Sequence, residues 1–419
     1  MKKIIKSILC GELFFALLLF SGVFKESLNL PIDISILFIA LTFIAVVIKI
    51  ASKKRIHKTI LLPIISLTII YSMFLISYII SLGEIYATEK ILKFSFVTLP
   101  SIVFALILLD NKKALHRFFI SIAMIAFVLS VFSLPSIFHR GSSLGFIGFN
   151  GGNYQGLALL NGIGLIIQVF YFLLEAHSKR LKMLSLLVAS ITAFVLFATG
   201  SRMPILAFIV TSVYILGNSF YFRRDIIFLR KGVKLLFLLS TLSIPLLCIM
   251  VNKGFFETII YRFSVLFTEE SGGDSSAGRI ERYKSAYEMI KRSPFVGEGL
   301  GGFPLYYSGE DISDYPHNII LEIIAEMGLI GLVVCIIFFA LSLFRTLNLY
   351  RSSYKFIPTL GMVTVGVFIY YLSFAMVSGD INSNRILYVF MGIMCMFPTI
   401  FEVEDYKKNN LFATRKEIL

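Results

Sequence analysis

The stretch from Tyr315 to Phe344, YPHNIILEIIAEMGLIGLVVCIIFFALSLF, decides how this chain folds. From residue 318 onward it is an apolar run longer than the roughly 20 residues that an α-helix needs to cross the hydrocarbon core of a bilayer. Just before that run, Pro316 and His317 close a polar segment that begins at residue 252. The sequence therefore predicts a membrane helix that directly follows a polar loop.

Similar apolar runs occupy most of the chain, which is 57% hydrophobic and only 15% charged. Read with a window of about 19 residues, the chain contains about 12 such runs. They lie at 5–23, 32–50, 59–82, 91–109, 118–138, 154–174, 183–200, 203–221, 233–251, 318–344, 356–378 and 386–401. We therefore predict an all-α polytopic membrane protein with about 12 transmembrane helices, forming a single integral membrane domain over residues 1–419.

The positions of lysine and arginine orient these spans, because both residues accumulate in cytoplasmic loops. If the N-terminal Lys2 and Lys3 are inside, every alternate loop is basic. We therefore predict that both termini are cytoplasmic and that residues 252–317 form one large extracytoplasmic loop between spans nine and ten. The net charge of +14 is then explained by loop orientation and anionic lipid headgroups, without a nucleic-acid partner.

The first part of this loop, Gly254 to Thr268, is apolar and aromatic, which predicts a continuation of span nine or a helix along the membrane interface. Glu269 to Gly278 is acidic and rich in glycine and serine, so we expect a mobile linker. Apolar residues then recur at helical spacing and predict an amphipathic helix from Gly278 to Arg292. They are Ile280, Tyr283, Tyr287 and Ile290.

The loop ends with a glycine-rich turn, GEGLGGF at 297–303, which follows Ser293-Pro294. Such a turn can cradle a phosphate, but this one follows no strand and lacks the lysine of nucleotide-binding loops. A plain flexible turn is the favoured interpretation.

Two glutamates, Glu322 and Glu326, follow His317 inside the predicted span ten. Carboxylates in membrane spans are costly and tend to be functional or paired, so each is a candidate to orient His317 or to pair with an arginine. His317 is either a helix-start histidine bonded to the backbone or a reactive one, and its place beside an arginine-bearing outer loop favours the second. Arg202, in the predicted outer turn between spans seven and eight, either reaches lipid headgroups or binds an anion.

The cysteines predict neither a disulfide framework nor a metal site. All four lie inside or at the edge of predicted spans, and none belongs to a Cys-x-x-Cys pair. They are Cys10, Cys248, Cys335 and Cys395. No Asp-x-Asp pair occurs in a predicted outer loop, so we expect no metal ligands.

Taken together, the motifs resemble the signature of the bacterial O-antigen ligase and O-antigen (Wzy-type) polymerase superfamily. The resemblance is carried by Ser275 to Arg279, Ser293-Pro294, the glycine-rich turn, Pro316-His317-Asn318, Glu326-Met327-Gly328 with Gly331, and Thr199 to Arg202, and more weakly by Gly148 to Asn153 and Asp380 to Arg385. In the segment from Gly148 to Asn153, Gly151-Gly152 stand where the family has a single proline.

The resemblance implies a GT-C-like integral membrane glycosyltransferase of the bacterial cytoplasmic (inner) membrane. Its donor would be a glycan on undecaprenyl pyrophosphate, and it would need neither a metal nor another cofactor. Arg202 and Arg279 fall on the family's pyrophosphate-binding arginines, and His317 falls on its catalytic histidine. We add Arg282 because it lies three residues from Arg279, on the same side of the predicted helix. Supporting candidates are Glu322, Glu326, Asn318 and Arg385.

The acceptor stays open between two reactions. A polymerase extends one lipid-linked repeat unit with another, whereas a ligase delivers the glycan to lipid A-core. We favour polymerisation because the stretch from Tyr306 to Tyr315 is acidic and aromatic, which suits a sugar better than a phosphorylated core. Membrane lipid and a chain-length regulator protein are candidate partners.

Two alternatives come from other functional classes. A flippase for lipid-linked oligosaccharides predicts polar residues near the midplane of several spans, but spans two to five, eleven and twelve carry few. A non-enzymatic scaffold leaves the histidine of the outer loop without a role.

Overall fold

The computed structural model describes most of the chain as helices. The described residues are 10–28, 31, 33–52, 57–141, 143–176, 178–223, 226–230, 232–234, 245, 247–268, 273–353 and 357–401. The helices are α1 (Gly11–Phe20), α2 (Ile34–Ser52), α3 (Leu61–Ile79), α4 (Ile85–Lys93), α5 (Leu99–Leu108), α6 (Lys112–Arg140), α7 (Tyr154–Ile167), α8 (Lys179–Ala198), α9 (Arg202–Gly217), α10 (Glu257–Thr268), α11 (Asp274–Arg292), α12 (Phe303–Tyr307), α13 (Ile319–Ser352), α14 (Thr359–Ala375) and α15 (Arg385–Cys395).

The apolar runs form helices because a backbone in hydrocarbon must bond its own N–H and C=O groups. Among the described residues, seven helical segments are long and apolar enough to cross a membrane, and four more apolar helices are shorter. These eleven occupy the places of eleven predicted spans. The chain is therefore a multi-pass helical membrane protein, as predicted.

Some predictions fall outside the described residues. They concern Lys2 and Lys3 at the N-terminus, most of span nine at 233–251, the first part of the acidic linker at 269–272, and the tail at 402–419. The number of spans therefore stays a prediction, and so does the orientation that depends on it.

Within the described ranges, a two-stranded hairpin departs from an all-α fold. Strands β1 (Phe220–Arg223) and β2 (Ile226–Leu229) pair antiparallel, with Phe220 opposite Leu229. Aromatic and β-branched residues favour strands, which explains why this short stretch after α9 is not helical.

The described residues of the predicted outer loop include α10, α11 and α12, and α10 and α11 pack on helices of the bundle. Helix α10 contacts α8 and α9, whereas α11 contacts α12 and α13. Helix α11 begins at Asp274, earlier than predicted, and ends at Arg292 as predicted. The face of α11 that is buried also differs from the predicted apolar face. Ala286 and Met289 are fully buried, while Ile280 and Tyr287 are 46% and 56% exposed.

Helix α13 is broken near its start. Gly328 has φ +65° and ψ −172°, so the helical backbone is interrupted there. The segment after α11 fits into this break, because Leu329 N donates to Pro294 O at 2.9 Å and Ile330 N donates to Phe295 O at 3.2 Å. The outer segment is thereby joined to the bundle through backbone bonds.

Candidate active site

Three arginines from distant parts of the chain surround one cavity of about 260 Å³. Arg202 is the first residue of α9, Arg262 lies in α10, and Arg279 lies in α11. Among the described residues that line the cavity there is no aspartate or glutamate. The cavity therefore concentrates positive charge, which is the chemistry of an anion site.

Arg202 and Arg262 hold each other in place through the backbone. Arg202 Nη1 donates to Arg262 O at 2.9 Å, and Arg262 Nη1 donates to Gly200 O at 2.9 Å. Gly200 has φ +79°, and an added Cβ would lie 2.7 Å from Thr258 Cγ2, so glycine allows α10 to pack this closely. Since a guanidinium has five N–H donors, this exchange leaves donors for a ligand.

Arg279 is the most loosely held of the three. Within the described part of the chain it makes no hydrogen bond or ion pair, and it faces the like charge of Arg262. Burial lowers its pKa, and Arg262 lowers it further. A guanidinium nevertheless stays protonated in proteins, so an anion would relieve the repulsion between these charges.

His317 lies directly before α13, near enough to Arg279 for the arginine's charge to act on the imidazole. Its backbone has φ +59°, a strained conformation for a residue other than glycine, and its buried Nδ1 has no hydrogen-bond partner in the part of the chain that the structure describes. The imidazole ring lies 4.5 Å from the Tyr315 ring, centroid to centroid. Burial, followed by the positive charges of Arg279 and Arg282, lowers the pKa of His317 to about 4. The imidazole is therefore neutral at pH 7 and available as a proton acceptor.

Arg282 occupies a different environment from Arg279. Its Nε and Nη2 donate to Asp314 Oδ1 and Oδ2, each at 3.0 Å, and its guanidinium lies 5.0 Å from the centre of the Tyr307 ring. The bonds to Asp314 raise the pKa of Arg282. Arg282 does not line the arginine cavity, and its bidentate pair joins α11 to the segment that leads to His317.

Among the described residues, Glu322 and Glu326 pair with neither His317 nor an arginine, contrary to both expected pairings. Each is fully buried and binds Lys90 of α4, whose Nζ lies 2.6 Å from Glu322 Oε1 and 2.6 Å from Glu326 Oε2. Glu322 Oε1 also accepts from Ile381 N at 3.2 Å. A lysine 236 residues away in sequence is thus the partner of Glu326.

Replacing Lys90 by methionine is expected to destabilise the protein by about 3–5 kcal/mol, because two buried carboxylates lose the cation that pairs with both. Adding Glu322→Gln and Glu326→Gln to Lys90→Met should restore much of this loss. Thermal unfolding of the purified variants measures both effects. A Lys90→Met variant as stable as the parent would contradict this assignment.

The glycine-rich turn is a packing element, and the expectation of a flexible turn is wrong. The N–H groups of Glu298, Gly299 and Leu300 donate to Ala325 O, Glu326 O and Ser77 O at 3.0, 3.1 and 3.0 Å. These donors are consumed by protein carbonyls, so the turn does not cradle a phosphate.

Gly299→Ala is expected to lower the melting temperature much more than Gly309→Ala. Both glycines have positive φ, +94° and +79°, so both alanines are strained. Only at Gly299 would the Cβ meet backbone, 2.3 Å from Ser81 Cα, whereas nothing lies within 4 Å at Gly309. Calorimetry of the two variants in detergent tests this difference, and equal melting temperatures would show that the turn is not tightly packed.

The remaining candidates have structural contacts. Asn318 caps α13, since its Oδ1 accepts from Ile320 N and Leu321 N, and its Nδ2 donates to Met376 O at 3.0 Å. Arg385 Nη2 donates to Leu19 O at 2.9 Å. Asn318 therefore fixes the chain direction directly after His317, while Arg385 joins α15 to α1.

Sequence reasoning missed Arg262 and Lys90. Arg262 is a charged residue in the apolar, aromatic stretch of α10, and Lys90 lies between Glu89 and Lys93 at the edge of a predicted span. For Arg262 a charge in an apolar segment was the available signal, whereas the charges around Lys90 gave none. The partners of Arg262 and Lys90 could not be predicted, because the carbonyl of Gly200 and the carboxylates of α13 lie far away in the sequence.

The fold and the cavity define a multi-pass membrane protein with a cationic site and a half-buried histidine whose pKa is lowered by the charge of one of its arginines. Residues 186–336 match the family model described as O-antigen ligase. This stretch contains all three cavity arginines and His317, and the match confirms the resemblance to the O-antigen ligase and polymerase superfamily. This region is therefore similar to that superfamily, a likeness that implies an enzyme of the glycosyltransferase type. No curated protein matches the chain.

Proposed function

We propose that the protein transfers a glycan from undecaprenyl pyrophosphate to an acceptor hydroxyl. The main observation in support of this proposal is the cluster of Arg202, Arg262 and Arg279 around one cavity, whose described lining residues include no carboxylate. Guanidinium forks bind phosphate oxygens bidentately and stabilise the charge that develops on a leaving diphosphate. This supplies the positive charge for which other glycosyl transfers use a divalent cation, so we propose a reaction without a metal.

The acceptor hydroxyl must lose a proton as it attacks, and His317 is the proposed general base. We propose direct displacement, in which the acceptor oxygen attacks the anomeric carbon from the face opposite the diphosphate, the bond to the diphosphate breaks, and the configuration inverts. In the protein without substrate, the low pKa of His317 makes the imidazole a weak base. A bound diphosphate would offset the charge of Arg279 and raise the pKa of His317, so substrate binding would itself activate the base.

The supporting residues have narrower proposed roles. Arg282 and Asp314 would hold the segment that leads to His317, and Asn318 would fix the start of α13. The cluster of Glu322, Glu326 and Lys90 would hold the same helix from within the bundle. Arg385 would act only through packing.

Residues 252–317 are proposed to face the outside of the bacterial cytoplasmic membrane, with both termini inside. The site would then meet lipid-linked glycans that have already crossed the membrane. A chain-length regulator protein would act on the same side.

For the acceptor we propose two candidates. Polymerisation of repeat units is favoured by the aromatic ring of Tyr315 beside His317, which offers a surface to an acceptor sugar. The acidic residues between Tyr306 and Tyr315 support this less than expected, because Asp314 binds Arg282 and Asp311 accepts three backbone bonds at the start of α4. Transfer to lipid A-core is favoured by the description of the matching family.

Recovery of the glycan product from cells that express the protein separates the two candidates. A polymerase leaves the lengthened glycan on undecaprenyl pyrophosphate, whereas a ligase places it on lipid A-core. If purified protein produces neither product from lipid-linked oligosaccharide and acceptor, the proposed transfer is wrong.

A further inference from the structure

A second and larger cavity, of about 760 Å³, lies at the other end of the bundle from the arginine cavity. Helix α14 connects the two, because Thr359 at its start lines the large cavity and Phe374 near its end lines the arginine cavity. These residues are 15 positions apart, which corresponds to about 22 Å along a helix. The large cavity is therefore separate from the proposed active site.

The part of this cavity beside the start of α6 is basic. Lys112, Lys113 and Arg117, from the first turns of α6, line it, and Glu175 is the only carboxylate among the described lining residues. Arg117 Nη2 also donates to Glu12 Oε1 at 2.5 Å, which fixes its position. With Arg117 paired to Glu12, the lining still carries Lys112 and Lys113 against the single carboxylate of Glu175, and this excess of positive charge favours an anionic ligand.

The part of the cavity further along α6 is apolar and open at the side. Ile120 and Met124 continue the wall along α6, and Leu360 lies on the other wall. Met124 is 42% exposed although it lies well inside an apolar helix, so this part of the cavity opens where hydrocarbon would be. The distance along α6 from Lys112 to Met124 is about 18 Å.

We propose that this cavity binds one anionic phospholipid. Its phosphate would lie at Lys112 and Lys113, its glycerol between the helices, and an acyl chain along Ile120 and Met124. A volume of 760 Å³ lies in the range of small-molecule pockets, so it has room for a headgroup, the glycerol and part of an acyl chain, and it is far larger than a free phosphate needs. Basic pockets between membrane helices bind anionic headgroups in this way.

The test uses the full-length protein, purified in detergent and depleted of lipid. Dioleoyl phosphatidylglycerol, dioleoyl phosphatidylcholine and inorganic phosphate are added separately, and bound lipid is counted by native mass spectrometry. We expect one phosphatidylglycerol bound at least about tenfold more tightly than phosphatidylcholine, with no displacement by phosphate. Since one lysine near an anionic headgroup strengthens binding about fivefold, Lys113→Gln should weaken it by that factor.

Lys179→Gln is the matched control, because Lys179 is also an exposed lysine at a helix start but does not line the cavity. It should bind phosphatidylglycerol like the parent. Met124→Trp fills the apolar part and should weaken lipid binding even where Lys113 is intact. Equal binding of the two lipids, equal affinities of Lys113→Gln and Lys179→Gln, or displacement of lipid by inorganic phosphate would each overturn the proposal.

Discussion

Arg279→Lys is expected to transfer glycan about a hundredfold more slowly than the parent, because it keeps the charge but loses the fork that binds two phosphate oxygens. Arg279 lines the arginine cavity and has no other described hydrogen bond or ion pair, so its loss should leave the fold intact. The measurement is the initial rate of transfer by purified protein in liposomes. Unchanged melting temperature would show that the effect is on the reaction.

Arg282→Lys is the matched control, because Arg282 lies three residues further along the same helix but binds Asp314. It should lower the melting temperature modestly and slow transfer much less than Arg279→Lys. If Arg279→Lys transfers glycan as fast as the parent, the bidentate role of Arg279 is wrong. If Arg282→Lys is the slower variant, the diphosphate role belongs to Arg282.

His317→Ala is expected to slow transfer by about 10²–10⁴-fold, the range for loss of a general base. The control is His139→Ala, since His139 is an exposed histidine in the last turn of α6. It should transfer glycan like the parent. A His317→Ala variant with undiminished turnover would exclude His317 as the base.

The pH dependence offers a second test of the same residue. Because the pKa of free His317 is lowered to about 4, the imidazole stays unprotonated above that value. The parent's kcat/KM, which reports the free enzyme, should therefore stay level from pH 7 to about 5 and fall only near pH 4. The kcat profile should fall at a higher pH, because bound diphosphate raises the pKa. A kcat/KM profile that falls near about pH 6.5, the ordinary value for histidine, would contradict the buried environment.

Local patterns predicted much of this molecule. Apolar runs located eleven helices, since a helix in hydrocarbon needs only its own sequence to satisfy its backbone. The motifs also pointed to Arg202 and Arg279, which do line one cavity. These features depend on residues close together in the chain.

Contacts between distant segments could not be read in the same way. Helical spacing grouped Arg282 with Arg279, but Asp314 lies 32 residues later and determines where Arg282 points. The glycine-rich turn looked flexible because its partners, Ser77 and Ser81, lie more than 200 residues earlier. Lys90 showed no link to Glu326 for the same reason. Such pairings arise only when the bundle is assembled.

The most direct test of the central claim measures free undecaprenyl pyrophosphate in liposomes that contain purified protein, lipid-linked oligosaccharide and acceptor. We predict the release of one undecaprenyl pyrophosphate for each glycosidic bond formed, and its loss in the Arg202, Arg262 and Arg279 alanine variants. Glycan that crosses the membrane without release of the lipid diphosphate would contradict the account and indicate a transporter instead.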